Sequence, residues 1–283
     1  MRRSGEVWVS LKVWLNAWTA MSLKELTIMT RYPLEFVASF GQVFLVITIM
    51  TLASSMFVPA DIPAKYVSLG GGLVMYGFII FIFLNETLWT IGYNIRREQK
   101  QGTLEQLYLS PASKSASLVS RVTVTLVWTG LLSLASFWLV SVIAGRVPVH
   151  NLPLGLLILV LSLSGMFGVG FAFAALTLRV RETAQTIANF LQISFIILCA
   201  PFFPFSVLPT GVQIISRLLP LSYSVDALRS TLLNYPPGFP ELAPMEVELV
   251  IVIVFGLLTP WLGFWLYRCE EDRARRSGSL SEY

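Results

Sequence analysis

Gly102-Thr103-Leu104-Glu105-Gln106-Leu107-Tyr108-Leu109-Ser110-Pro111 is a short polar-flanked stretch set between long apolar runs. Thr103, with Gln106 three residues later, has the spacing of a capping box, and Pro111 ends the helix because proline cannot continue the backbone ladder. Leu104, Leu107, Tyr108 and Pro111 recur at i, i+3, i+4 and i+7, which gives one apolar face, while Glu105, Gln106 and Ser110 point elsewhere. About two turns of helix are not stable alone in water. The apolar face must therefore dock, either on the protein's own membrane helices or on a partner subunit.

Outward from this stretch the chain reads as membrane protein. Of its 283 residues 55% are apolar and only 13% charged, and the charges cluster so that long uncharged runs remain. This excludes an ordinary soluble domain. Two cysteines, Cys199 in an apolar run and Cys269 beside a basic tail, make no disulfide framework. The first residues lack a short apolar block with a small-residue cleavage site, so no cleavable leader is expected.

Residues 1–33 are tryptophan-rich. Leu11, Trp14, Trp18 and Met21 share one helical face, opposite Lys12, Asn16, Thr19 and Ser22, the pattern of a helix lying in the membrane interface. Six runs of spanning length follow: Leu34–Phe57, Val67–Gly92, Leu118–Ala144, Leu152–Leu178, Thr183–Phe203 and Val247–Tyr267. In the fourth, Ser164, Gly168 and Ala172 repeat every four residues, so another helix can approach closely there. Sixteen of the twenty Lys and Arg residues fall in 1–33, 93–121, 179–182 and 268–283. By the positive-inside rule both termini and the Gly102–Pro111 helix face the cytoplasm.

Pro201 to Pro244 holds eight prolines with two short apolar helices between them, roughly Thr210–Leu219 and Ser222–Asn234. A seventh full span here would put the basic tail outside. A re-entrant pair of half-helices over 204–235, packed among the spans, keeps the count even. The fold class is thus an all-α polytopic membrane protein, one transmembrane domain over 1–283, with a cytoplasmic loop at 93–117 and a cytoplasmic tail at 268–283.

Two segments carry a resemblance. Gly-Thr-Leu-Glu-Gln-Leu-x-x-Ser-Pro after a basic stretch resembles the cytoplasmic coupling segment of ABC-2-type export permeases (the type V fold), the membrane subunits of ATP-binding-cassette exporters. Pro204-Phe205-Ser206-Val207-Leu208-Pro209, followed by Leu219-Pro220-Leu221-Ser222-Tyr223-Ser224-Val225-Asp226-Ala227-Leu228-Arg229, is similar to the same family's signature before its last span. The resemblance implies that Gly102, Thr103, Leu104, Glu105, Gln106, Leu107, Tyr108 and Pro111 couple to an ATPase subunit, assisted by the N-terminal helix. It also implies that a hairpin bearing Pro204, Leu208, Pro209, Pro220, Tyr223 and Asp226 shuts the exit on the outer side. The partners implied are an ATP-binding-cassette ATPase, which would hold ATP and Mg, a second permease copy (identical or related) and membrane lipid; nucleic acid is not expected. The site would be the plasma (inner) membrane.

Little else in the chain points to chemistry. No P-loop occurs, so no nucleotide is expected on this chain, and His150 has no clustered Cys, Asp or Glu to make a metal site. No catalytic residue, bound cofactor or enzyme activity of its own is expected. Glu86, beside Asn85 near the cytoplasmic end of the second span, is either a pathway residue or a structural hydrogen-bonding group, and must avoid lipid. Gln185, Asn189 and Gln192 form a polar stripe on the fifth span and should face inward; the resemblance places them, with Phe195 one turn on, along a path between protomers. Asp226 and Arg229, three apart, are expected to pair locally.

The leading expectation is an exporter permease for a drug-like or lipid-like amphiphile, with polysaccharide or lipid-linked glycan export as the runner-up. A secondary transporter would place coupling carboxylates at mid-membrane and often shows inverted repeats, neither of which is visible. A non-transporting membrane assembly factor is the third class; it would show no substrate-dependent ATPase stimulation.

Overall fold

The computed structural model describes residues 2–31, 33–56, 64–89, 114–143, 148–180 and 183–276. The Gly102–Pro111 stretch lies outside the described residues, as does the rest of the loop up to residue 113. Every regular element among the described residues is helical. In chain order they are α1 (Arg2–Arg31), α2 (Pro33–Met56), α3 (Ala64–Leu88), α4 (Lys114–Ile143), α5 (Leu152–Val180), α6 (Ala184–Leu198), a 3-10 turn (Phe205–Val207), α7 (Thr210–Leu218), α8 (Pro220–Leu232) and α9 (Met245–Arg276). Three stretches are long and apolar enough to cross a bilayer: Gly70–Leu88, Leu152–Val180 and Met245–Arg273. The protein is a polytopic membrane protein whose described elements are all helical.

Helix α3 is the hub. It packs against α2, α4, α5, α6 and α8, and its Met75, Ile80, Leu84 and Leu88 are almost wholly buried. A helix apolar on all sides has no water-facing stripe to keep, so enclosure by neighbours satisfies it. Helix α1 rests on α4 and, more lightly, on α2; Trp14, Trp18 and Met21 are half-buried there, while Asn16 and Thr19 are exposed. Helices α5 and α9 make the most extensive helix pair among the described residues. Their backbones nearly touch: a Cβ on Gly168 would strike the Thr259 backbone, and one on Gly263 would strike the Gly168 carbonyl. Gly256 faces the Leu161 carbonyl at 2.6 Å from its would-be Cβ, and the Ser164 hydroxyl donates to the Gly256 carbonyl at 2.7 Å. The small-residue spacing at Ser164 and Gly168 thus lies at this seam.

Helix α6 departs from the expected Thr183–Phe203 run. It stops at Leu198 after fifteen residues, about 22 Å at 1.5 Å per residue, against about 30 Å for a bilayer core. The cause is local. Ala200 precedes Pro201, which disfavours helical backbone, and it sits at φ 44°. The chain turns there and enters the segment holding α7 and α8. Both are too short to span a bilayer, at nine and thirteen residues.

Candidate functional site

The segment from Pro201 to Glu248 holds three of the four buried charged residues among those described, Asp226, Arg229 and Glu248. Helix α8 begins with Pro220 at its first turn, where a missing N–H costs nothing. Its residues Leu221, Ser222 and Ser224 through Leu232 are buried. That enclosure covers Asp226 and Arg229, neither exposed at all, so both must find partners inside the protein.

Arg229 reaches across the chain instead of along its helix. Its Nε donates to the Leu73 carbonyl on α3 at 2.8 Å, Nη1 to Phe203 at 3.2 Å and Nη2 to Pro201 at 2.6 Å. Leu73, about two and a half turns into the hub helix, and the turn after α6 are thereby tied to α8 by one guanidinium. Gly77 makes room for it, since a Cβ there would strike both Nη2 and the Pro201 carbonyl. Burial lowers the Arg229 pKa to about 10, opposed by the nearby Asp226 and Glu241 carboxylates. The group remains a cation at neutral pH.

Asp226 points the other way. Its Oδ2 accepts from the backbone N–H groups of Glu241 and Leu242 at 2.7 and 2.8 Å. Glu241 in turn accepts from the Phe205 N–H at 2.5 Å and the Ser206 hydroxyl at 2.9 Å. Glu248, in the first turn of α9, accepts from the Ala243 N–H at 3.3 Å. The local Asp226–Arg229 pairing expected from their spacing is replaced by these longer-range bonds: in a dry interior, backbone groups left bare by the turns outcompete an i,i+3 pair, because each would otherwise go unsatisfied.

The other residues singled out from the sequence take the following places. Pro204 leads into the 3-10 turn, and Leu208 is buried with Ala200 and Phe205. Pro209 is exposed ahead of α7. Tyr223 donates its hydroxyl to the Arg217 carbonyl at 2.9 Å, bracing α8 against the end of α7. Glu86 is part-buried near the end of α3, and the buried Oδ1 of Asn85 beside it has no hydrogen-bond partner. On α6, Gln185 and Asn189 are exposed, whereas Gln192 is part-buried and Phe195 packs on the main core. Phe190, Ile193 and Ile197 share that exposure. Phe202, after α6, meets Phe78 and Phe81 of α3 with ring centroids 5.9 and 5.8 Å apart.

Gly77, Glu241 and Glu248 escaped the sequence reading. For the two glutamates the available signal was their charge, which in a chain so apolar demands a partner; Gly77 carried none. Among the described residues no group of three or more His, Cys, Asp or Glu side chains could hold a metal ion.

Long apolar helices around a central one, with a proline-bounded pair of short helices tied to it through the buried Arg229, make this a polytopic membrane protein. A family model for the ABC-2 family transporter protein matches residues 61–265, and the chain belongs to that family. A search of curated proteins found no match.

Proposed function

We propose that this chain is the permease subunit of an ATP-driven exporter, working as a pair of permeases with two separate ATP-binding-cassette ATPases. The observation that carries this is the family match over residues 61–265, the stretch that contains both the Gly102–Pro111 segment and the α7–α8 pair. On this reading six spans (α2, α3, α4, α5, α6 with its following turn, and α9) cross the plasma membrane, with both termini in the cytoplasm. ATP and Mg bind the ATPase, not this chain, which is not itself an enzyme. Closure of the ATPases pushes on Gly102–Pro111 and α1, a rigid-body coupling through a docked element. The α7–α8 hairpin, with Pro204, Leu208, Pro209, Pro220, Tyr223 and Asp226, closes the outer end of a path between protomers. The part-exposed Phe81 and Phe202 rings and the aromatic composition favour a drug-like or lipid-like amphiphile over a polysaccharide or lipid-linked glycan.

The test is capture of the ATPase from membranes by the tagged full-length chain. Wild type should retain an ATP-binding-cassette ATPase, and Leu107→Asp, which puts a charge on the apolar face of the coupling stretch, should lose it while still inserting. Equal capture by both would remove the docking role.

A further inference from the structure

Helix α7 presents its amphipathic pattern reversed. Gly211, Ile214, Ile215 and Leu218 recur at i, i+3, i+4 and i+7, the spacing of a face that a soluble helix turns to its core. All four are instead exposed, Ile214 at 62% and Leu218 at 77%. The polar side is the one turned inward. Ser216 is wholly buried and its hydroxyl donates to the Val212 carbonyl at 3.0 Å. The part-buried Gln213 donates its side-chain amide to the Leu208 carbonyl at 2.8 Å. Arg217, in the last turn, is exposed, and three residues on from Ile214 it stands at the edge of the apolar face. Helix α7 holds no Asp or Glu.

We propose that α7 is a lipid-seated element: Gly211, Ile214, Ile215 and Leu218 lie in the outer leaflet of the bilayer, and Arg217 at their edge binds a phospholipid phosphate. An apolar face rimmed by a cation is the pattern of a helix lying in the plane of the membrane interface. The arginine stem runs along apolar surface while its guanidinium reaches the headgroup level, where a phosphate accepts from it. The leaflet rests on the orientation given under the proposed function, in which α6 runs outward and delivers α7 to the outer side.

Charge decides between lipid and a second copy of the chain. A two-fold pairing sets the same patch against itself, and this patch carries a cation with no carboxylate to meet it. Its four residues also fall far short of the roughly 20–30 per side that a stable protein interface uses. A phospholipid supplies both the apolar medium and the counter-charge. The seat also reaches the buried hairpin. Helix α7 packs on α6 and α8, and Tyr223 of α8 donates to the Arg217 carbonyl itself, so the lipid contact braces α8 from outside.

The experiment uses the full chain in nanodiscs of phosphatidylcholine with phosphatidylglycerol, carrying Cys269→Ser to remove the exposed thiol; Cys199 is buried. A nitroxide is attached at Ile214→Cys or Leu218→Cys, and for reference at Tyr235→Cys, an exposed position after α8. In power-saturation EPR, oxygen, which concentrates in lipid, should relax the two α7 labels several-fold more than a water-soluble nickel chelate does, with the order reversed at Tyr235→Cys. Nickel relaxation at both α7 positions equal to that at Tyr235→Cys would put the face in water and overturn the proposal. Shielding from both relaxants, with dipolar broadening between chains, would put a second copy there and overturn it equally. By native mass spectrometry wild type and Arg217→Lys should keep one phospholipid more than Arg217→Ala; equal retention by all three would overturn the phosphate contact. An impermeant thiol reagent should label Tyr235→Cys from outside intact cells. Labelling only after permeabilisation would overturn the outer-leaflet assignment together with the topology proposed above, whereas the nickel result overturns the lipid seat alone.

Discussion

Gly77 of α3 lies so close beneath the Arg229 guanidinium that a single methyl group at position 77 would collide with it. The two residues are 152 positions apart in the sequence, and the missing side chain at 77 leaves room for Arg229 Nη2 to reach the carbonyl of Pro201.

Gly77→Ala should therefore destabilise the protein by about 1–3 kcal/mol, the usual cost of overpacking a filled interior. Arg229→Met should cost at least roughly 1–3 kcal/mol for the first carbonyl left unpaired among Leu73, Pro201 and Phe203. Because the two residues touch, the costs should not add; Gly77→Ala should be milder in the Arg229→Met background. Thermal unfolding of the four proteins closes the cycle, and strict additivity would show that the contact is unimportant.

At the α5–α9 seam, Gly168→Val should disrupt packing, since even a Cβ there meets the Thr259 backbone and the Pro260 nitrogen. Backbone cannot move aside as a side-chain tip can, so the loss should exceed about 3 kcal/mol or prevent folding. Gly211→Ala is the control: nothing lies within 4 Å of its would-be Cβ, and the change should stay within about 0.5 kcal/mol. Fluorescence-detected size exclusion after a heat step separates the two.

Asn189→Leu tests the path between protomers. Asn189 is exposed in the single chain, beside the exposed Phe190 and Ile193. If a second permease covers this face, Asn189→Leu and Gln192→Leu should leave insertion intact and change substrate-stimulated ATP hydrolysis several-fold. Lost pairing of permeases would make the stripe structural, and unchanged hydrolysis with unchanged pairing would take it out of the mechanism.

The helical segments were legible in the chain because their causes are local. Pro33 opens α2, Pro209 and Pro220 sit at the starts of α7 and α8, and uncharged runs mark α3, α5 and α9. The early end of α6 was harder to see, since apolar residues continue past Leu198 and only the Ala200–Pro201 step breaks the helix. The partners of the buried charges were not legible. Asp226 and Arg229 stand at a spacing that invites a local pair, yet each serves backbone groups elsewhere in the chain, in turns and, for Arg229, also in α3. Spacing reports which side chains are neighbours on one helix, and says nothing of which carbonyls a distant turn leaves bare. Glu248 looked like an ordinary acidic residue ahead of an apolar run, a first-turn position that the helix dipole favours anyway. The outlook of Asn189 depends on what covers α6, which no single-chain pattern encodes.

Where Gly168, Gly256 and Gly263 meet the facing backbone, α5 and α9 have no side-chain cushion between them. Side chains can change rotamer and let two helices slide by small steps; bare backbone pressed on backbone cannot. A slip of one residue would drive Thr259 or Leu161 into the opposite helix, so the pair has one register and no neighbouring one. Helices α5 and α9 should therefore move only as one body, and in the exporter proposed above they would serve as its stator.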